Sequence, residues 1–220
     1  MQAVYYKDKY LKEIETKIEY ISNQNDKCYI KFEKSIFYPK GGGQKGDRGK
    51  FFIEEKEFKI IDSVKDEKNE SISILEFDIS DKFQGETVKC ILDWNFRLNQ
   101  MKLHTCLHLH HCIIEEIGKK NIPYPKISSI EDGFAFNKYE NSDFDIKTLE
   151  KINERFLELL KTNIEVKTYP DANKKGFRWW EFDKNKIPCG GIHVSKLSEI
   201  GDIKIDTSTK KSKINIKFTL

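Results

Sequence analysis

Two short stretches constrain this chain more than any others: His104-Thr-Cys-Leu-His108-Leu-His-His111 and, some eighty residues later, Cys189-Gly-Gly-Ile-His193. If the first is helical, His104 and His108 lie one turn apart on one face and offer two imidazoles to a single ion. Cys189 and His193 repeat the four-residue offset, and all five histidines of the chain fall within these two stretches. Two pairs of soft or borderline ligands suit zinc better than a hard cation, which prefers carboxylates. A lone HxxxH also arises on ordinary amphipathic helices, and a lone cysteine can be a buried small hydrophobe. The two pairs together are much rarer than either alone, which favours metal. His111, three residues past His108, falls close to the same face and within reach of the site's surroundings. His110 points elsewhere, into packing or onto the surface.

At 220 residues the chain can form one large domain or two small ones. It has no apolar run of membrane-spanning length, and Met1–Tyr10 lacks a signal-peptide pattern, so the expected compartment is the cytoplasm. Five cysteines with no regular framework argue against a disulfide-stapled secreted domain. Cys28, Cys90, Cys106 and Cys112 then read as packed free thiols, leaving Cys189 the one with a chemical role. Lys and Arg number 39 against 36 acids, so any basic patch for a nucleic acid must be made by the fold.

Near-alternation of apolar and charged residues from Tyr10 to Ile21, and again over residues 27–37, predicts a hairpin turning at Asn23-Gln-Asn-Asp26. Phe37-Tyr-Pro-Lys-Gly-Gly-Gly-Gln-Lys-Gly-Asp-Arg-Gly49 follows; its spacing fits neither a P-loop nor a dinucleotide fingerprint, and by itself it reads as a structural turn. Residues 51–61, 71–77 and 86–92 read as further strands. Residues 1–92 are therefore expected to form a small β domain, of barrel type. At Asp93 the period changes to that of a helix, with Asp93 as N-cap and Gly118 with its following lysines as the stop. Beyond a loop with Pro123 and Pro125, a strand near residues 133–137 precedes a helix over 148–162 whose stripe is Leu149, Ile152, Phe156, Leu159 and Leu160. Strands near 166–169, 200–206 and 213–218, with 177–182 read as strand or loop, lack regular βαβ alternation, so residues 93–220 read as an α+β domain.

The motifs resemble a known family. HTxxH, followed by CGGxHV and then Glu199-Ile-Gly201, looks like the editing domain of alanyl-tRNA synthetase and its free-standing AlaX relatives. Phe37-Tyr-Pro-Lys-Gly-Gly-Gly-Gln44 with Asp47-Arg-Gly49 is similar to the family's glycine-rich motif, and Asp93-Trp94, Arg97 and Met101 to its lead-in to the histidine helix. Together these span residues 37–201, and the chain looks like the medium-length AlaX class. The resemblance implies an N-terminal β-barrel, a zinc-bearing editing domain of the threonyl/alanyl-tRNA synthetase type, and hydrolysis of Ser-tRNA(Ala) or Gly-tRNA(Ala). Cys106, Leu107 and Ile192 depart from the family pattern and make part of the site more apolar, leaving open which amino acid is preferred.

On this reading zinc is held by His104, His108, Cys189 and His193, either with a closed shell that organises the pocket or with one position given to water. His193 has the alternative role of a base. Thr105 is the hydroxyl proposed to meet the substrate, with an ordinary helix position as its other reading. Gln44 and the glycines Gly41, Gly42 and Gly43 border the pocket by family analogy. Arg48, Arg97 and Arg178, with Lys40, Lys45, Lys102, Lys174 and Lys175, are candidate phosphate contacts. Trp179 and Trp180 are candidates to stack on the terminal adenine, with at least one expected in the core. A non-catalytic zinc-bearing RNA-binding module and a zinc hydrolase of small esters or amides are the competing classes. Oligomeric state is not legible.

Overall fold

A computed structural model describes residues 1–118, 123–140, 144–210 and 212–220. The chain divides into two units: residues 1–41 with 45–97, and residues 42–44 with 98–220.

The first unit is built on strands. After β1 (Gln2–Ala3) and the short α1 (Val4–Lys7) come β2 (Glu13–Gln24), β3 (Lys27–Phe32), β4 (Lys34–Ser35), β5 (Gly49–Ile53), β6 (Lys56–Ile60), β7 (Asp62–Lys65), β8 (Ser71–Leu75) and β9 (Thr87–Leu92). Seven of them form one curled antiparallel sheet in the order β6-β5-β9-β2-β3-β8-β7. Strand β2 joins its halves, pairing first with β9 and then with β3. The inward residues of β2 step from Thr16 and Ile18 to Ile21, which breaks strict alternation; the register shifts between Ile18 and Tyr20, a bulge that adds twist.

The hairpin expected after β2 is present, and its turn residues Asn25 and Asp26 both take positive φ, as the tightest hairpin turns require. The single strand expected over 51–61 is instead a hairpin of β5 and β6, turning at Glu54 with φ 54°. Glutamate is not a usual turn residue, so the sequence signal was missing. Phe51 and Phe58 face each other across that hairpin with stacked rings 5.1 Å apart and anchor a core that includes Phe32 and Phe37. Strand β7 was also unforeseen.

Helix α2 (Trp94–Gly118) begins at the end of the first unit and runs through the second. The Asp93 carboxylate accepts from the Phe96 amide at 3.1 Å, the expected cap. Gly118 is the last described residue of the helix, and the lysines expected to complete its stop lie outside the described residues. From Met101 to Ile114 all but Lys102 and His108 are buried, so α2 is a core helix and carries no simple apolar stripe.

The second unit adds β10 (Ile127–Ile130), β11 (Phe134–Glu140), α3 (Ile146–Leu160), β12 (Lys167–Pro170), β13 (Arg178–Phe182), β14 (Asn185–Pro188), β15 (Lys204–Lys210) and β16 (Lys213–Thr219). An antiparallel sheet runs β10-β11-β16-β15, and a smaller one β12-β13-β14. Asp145 caps α3 through the Thr148 amide at 2.6 Å, and the five stripe residues of α3 are all buried. His110 packs between Phe156 of α3 and Phe218 of β16, with Nε2 3.0 Å from the Asn153 amide oxygen. This is the packing role, which holds α2 between helix and sheet.

Candidate metal centre

His104 and His108 leave α2 one turn apart, and the loop after β14 returns Cys189 and His193 to the same place. The four ligand atoms lie within 4.8 Å of one another. The Cys189 thiol is 3.6 Å from His104 Nε2 and 3.4 Å from His193 Nε2. Sulfur about 2.3 Å and nitrogen about 2.0 Å from a tetrahedral ion would be about 3.5 Å apart, so the two thiol–imidazole separations fit an ion with zinc's bond lengths. The Nδ1 atom of His108 is buried and has no hydrogen-bond partner among the described residues.

Neighbouring groups fix how the rings are presented. Gln44 Oε1 accepts from the Ile192 amide at 3.1 Å, which orients the side-chain amide, and lies 3.1 Å from His104 Nδ1. His104 therefore carries its proton on Nδ1 and turns the lone pair of Nε2 toward the thiol. Thr105 does the same for His193. Its hydroxyl donates to the Met101 carbonyl at 2.8 Å and accepts from His193 Nδ1 at 3.2 Å, which turns Nε2 toward the Cys189 thiol. A Cβ on Gly191 would sit 2.2 Å from His104 Cε1, so the close approach of loop and ring requires glycine there.

Burial sets the charge states. It pushes His104 down to about 3 and His108 well below its ordinary range, the latter with help from the neighbouring histidines His104 and His111. Burial pushes the Cys189 thiol up to about 11, against the Gly191 amide and the Arg178 charge that pull it down. Neutral imidazoles are ready ligands, while the thiol must lose a proton to become one.

A cavity of about 200 Å³ opens at His104 and His108 and is walled by Gly42, Gly43, Leu107, His111, Ser128 and Asn137 among others. That is below the range of about 300–1,000 Å³ usual for ligand pockets, and it suits a small group.

Several sequence expectations change. Thr105 is fully buried behind His193 and does not line the cavity; a hydroxyl on a core helix back-bonds to its own preceding turn. Its role is positioning. Gln44 likewise stands behind His104, while Gly42 and Gly43 reach the cavity. Gly41 packs beside Tyr38 and Lys65 in the first unit. Arg97 is no phosphate contact: it is fully buried, paired with Asp47, and donates to the carbonyls of Lys9 at 3.0 Å and Ile36. Trp180 is the core member of its pair, packed against His108 with ring centroids 5.1 Å apart. Trp179 is half-buried and donates to Asp171 at 2.6 Å. Arg48 lies over the Phe96 ring at 4.1 Å, and the Arg178 carbonyl accepts from the Cys189 amide at 3.0 Å. Cys28, Cys90, Cys106 and Cys112 are buried free thiols, as expected. Sequence reasoning missed Ser128 and Asn137, which carry no motif.

Three histidines and one cysteine, grouped so that they could hold a metal ion and opening on a small cavity, mark an α+β protein with a candidate metal site. No family model matches the chain. It is 31% identical over 213 residues to alanyl-tRNA editing protein AlaX-M of Pyrococcus horikoshii, covering 92% of this chain and 89% of that protein. It is also 31% identical over 242 residues to AlaX-L of the same organism, covering all of this chain but 58% of that protein. An alanine–tRNA ligase of Thermoplasma acidophilum is 27% identical over 223 residues, a match spanning 93% of this chain and 25% of the ligase. The chain belongs to the AlaX family of alanyl-tRNA editing proteins.

Proposed function

We propose that this protein is a trans-editing deacylase that hydrolyses Ser-tRNA(Ala) or Gly-tRNA(Ala) at a zinc ion held by His104, His108, Cys189 and His193. In the same reading the curled sheet is the family's small β-barrel domain, residues 1–92. Residues 93–220 form the zinc-bearing editing domain, and the setting is cytoplasmic. The observation that carries the proposal is the orientation of the cluster: His104 and His193 are each locked by a buried partner with Nε2 turned to the Cys189 thiol.

Bound zinc would supply Lewis acidity to the ester carbonyl or to an attacking water. The chain's own residues do the rest. Gln44 and Thr105 hold the imidazole rings, and Leu107 adds an apolar side chain to the cavity wall. Arg48, Arg178 and the exposed Lys40, Lys174 and Lys175 remain the phosphate candidates.

The test is deacylation of Ser-, Gly- and Ala-tRNA(Ala) by zinc-loaded and metal-stripped protein, beside Cys189→Ala. The expected result is hydrolysis of the mischarged esters by loaded wild type. Cys189→Ala should lose both zinc and activity while circular dichroism still reports a folded chain. Normal zinc content and turnover in that variant would refute the site.

A further inference from the structure

Two side chains on the cavity wall lie outside the metal centre. Asn137 of β11 is buried, and Ser128 of β10 stands opposite it in the sheet register. The Asn137 Nδ2 donates to the Leu107 carbonyl at 3.1 Å and approaches the Tyr139 hydroxyl at 3.4 Å. A carbonyl only accepts, so the amide cannot be turned over, and Oδ1 must face Ser128. The Ser128 hydroxyl donates to that oxygen at 2.6 Å. The proton of Ser128 is thereby used, both lone pairs of its Oγ remain, and Oδ1 keeps one. No other bond to either oxygen occurs among the described residues.

The neighbouring cavity groups differ in sense. His111 Nδ1 lies 3.2 Å from the Tyr139 hydroxyl and its Nε2 3.7 Å from a Glu115 carboxylate oxygen, which favours the ring proton on Nε2 and makes His111 a donor there. Both nitrogens of His104 are committed, one to Gln44 and one to the metal cluster. Ser128 and Asn137 thus form a fork of two acceptors, matched to a group with at least two N–H donors. A hydroxyl has one proton to give; an α-amino group has two or three.

We propose that Ser128 and Asn137 recognise the free α-amino group of the aminoacyl ester. This rests on the deacylase reading above and deepens it. The substrate class becomes esters of unblocked small amino acids. N-acylated and peptidyl esters are excluded, because an amide has a single N–H and its acyl group must share a cavity of about 200 Å³. Serine and glycine esters present the same amino group, so the fork serves them equally.

The test compares wild type with Ser128→Ala on four tRNA(Ala) esters: seryl, glycyl, N-acetylseryl, and acetyl, which is glycyl without its amino group. Ser128 is exposed, so the substitution leaves the fold intact, and zinc content serves as the control. The expected result is that kcat/KM on seryl and glycyl esters falls by the same factor, about tenfold for one lost hydrogen bond. The acetyl ester should be cleaved equally by both proteins, and N-acetylseryl ester by neither. A loss confined to the seryl ester would make the fork a hydroxyl reader and overturn the proposal. So would no loss at all, an equal loss on the acetyl ester, or ready cleavage of N-acetylseryl ester. Wild type inactive on every ester would remove the deacylase reading itself, and this inference with it.

Discussion

Replacing Arg97 by alanine tests the strongest correction to the sequence reading. Arg97 and Asp47 are both fully buried, and the guanidinium holds the carboxylate through Nε and Nη2 while also tying down the Lys9 and Ile36 carbonyls. Removing one partner of such a pair strands a buried charge, which costs about 3–5 kcal/mol. In a chain of this size that lowers Tm by roughly 6–20 °C. Burial already pushes the Asp47 carboxyl above its ordinary range, against the pull of Arg97. Without Arg97 that pull is lost, and native Asp47 takes up a proton more readily than the unfolded chain does. A carboxyl with a raised native pKa favours the folded state as pH falls, so the deficit of Arg97→Ala should be largest near neutrality and narrow on acidification. Urea denaturation across pH measures this, and adding Asp47→Asn should cost less than the two single changes summed. If Arg97→Ala changes stability by less than about 1 kcal/mol but lowers the salt dependence of tRNA binding by one contact, the residue is a phosphate ligand and the reasoning fails.

Zinc uptake at neutral pH should release about one proton per ion, from Cys189 held near 11, and none from His104 held near 3; affinity should therefore rise with pH. Titration calorimetry in buffers of differing ionisation heat reads the number, and a value of zero would remove the thiol from the site. Thr105→Val keeps shape but frees His193 to change tautomer, so metal affinity should fall about 10–100-fold with the fold retained; unchanged affinity with a raised KM would return Thr105 to the substrate. Gly191→Ala drives a methyl into the His104 ring, with the Cβ 2.2 Å from Cε1, and should weaken zinc binding with little loss of global stability. Wild-type affinity in that variant would mean the loop yields easily.

Much of the molecule was legible because the signals were local. Helix period, the Asp93 cap, the stripe of α3 and the four-residue ligand offsets depend only on neighbours within a turn or two, so they can be read from the string of residues. Even the pairing of the two ligand stretches followed from their chemistry. What only the tertiary structure decided is the fate of polar side chains. Arg97 looked like a surface cation until the fold set Asp47, fifty residues earlier, against it. Thr105 and Gln44 looked like groups for the substrate but are consumed in orienting His193 and His104. Ser128 and Asn137 gained meaning only as opposed residues of two strands whose cavity neighbours come from distant loops. A buried polar group must find a partner, and the partner is chosen by packing across long sequence separations. Local sequence therefore fixes which groups are available, while the fold determines which of them remain free for chemistry.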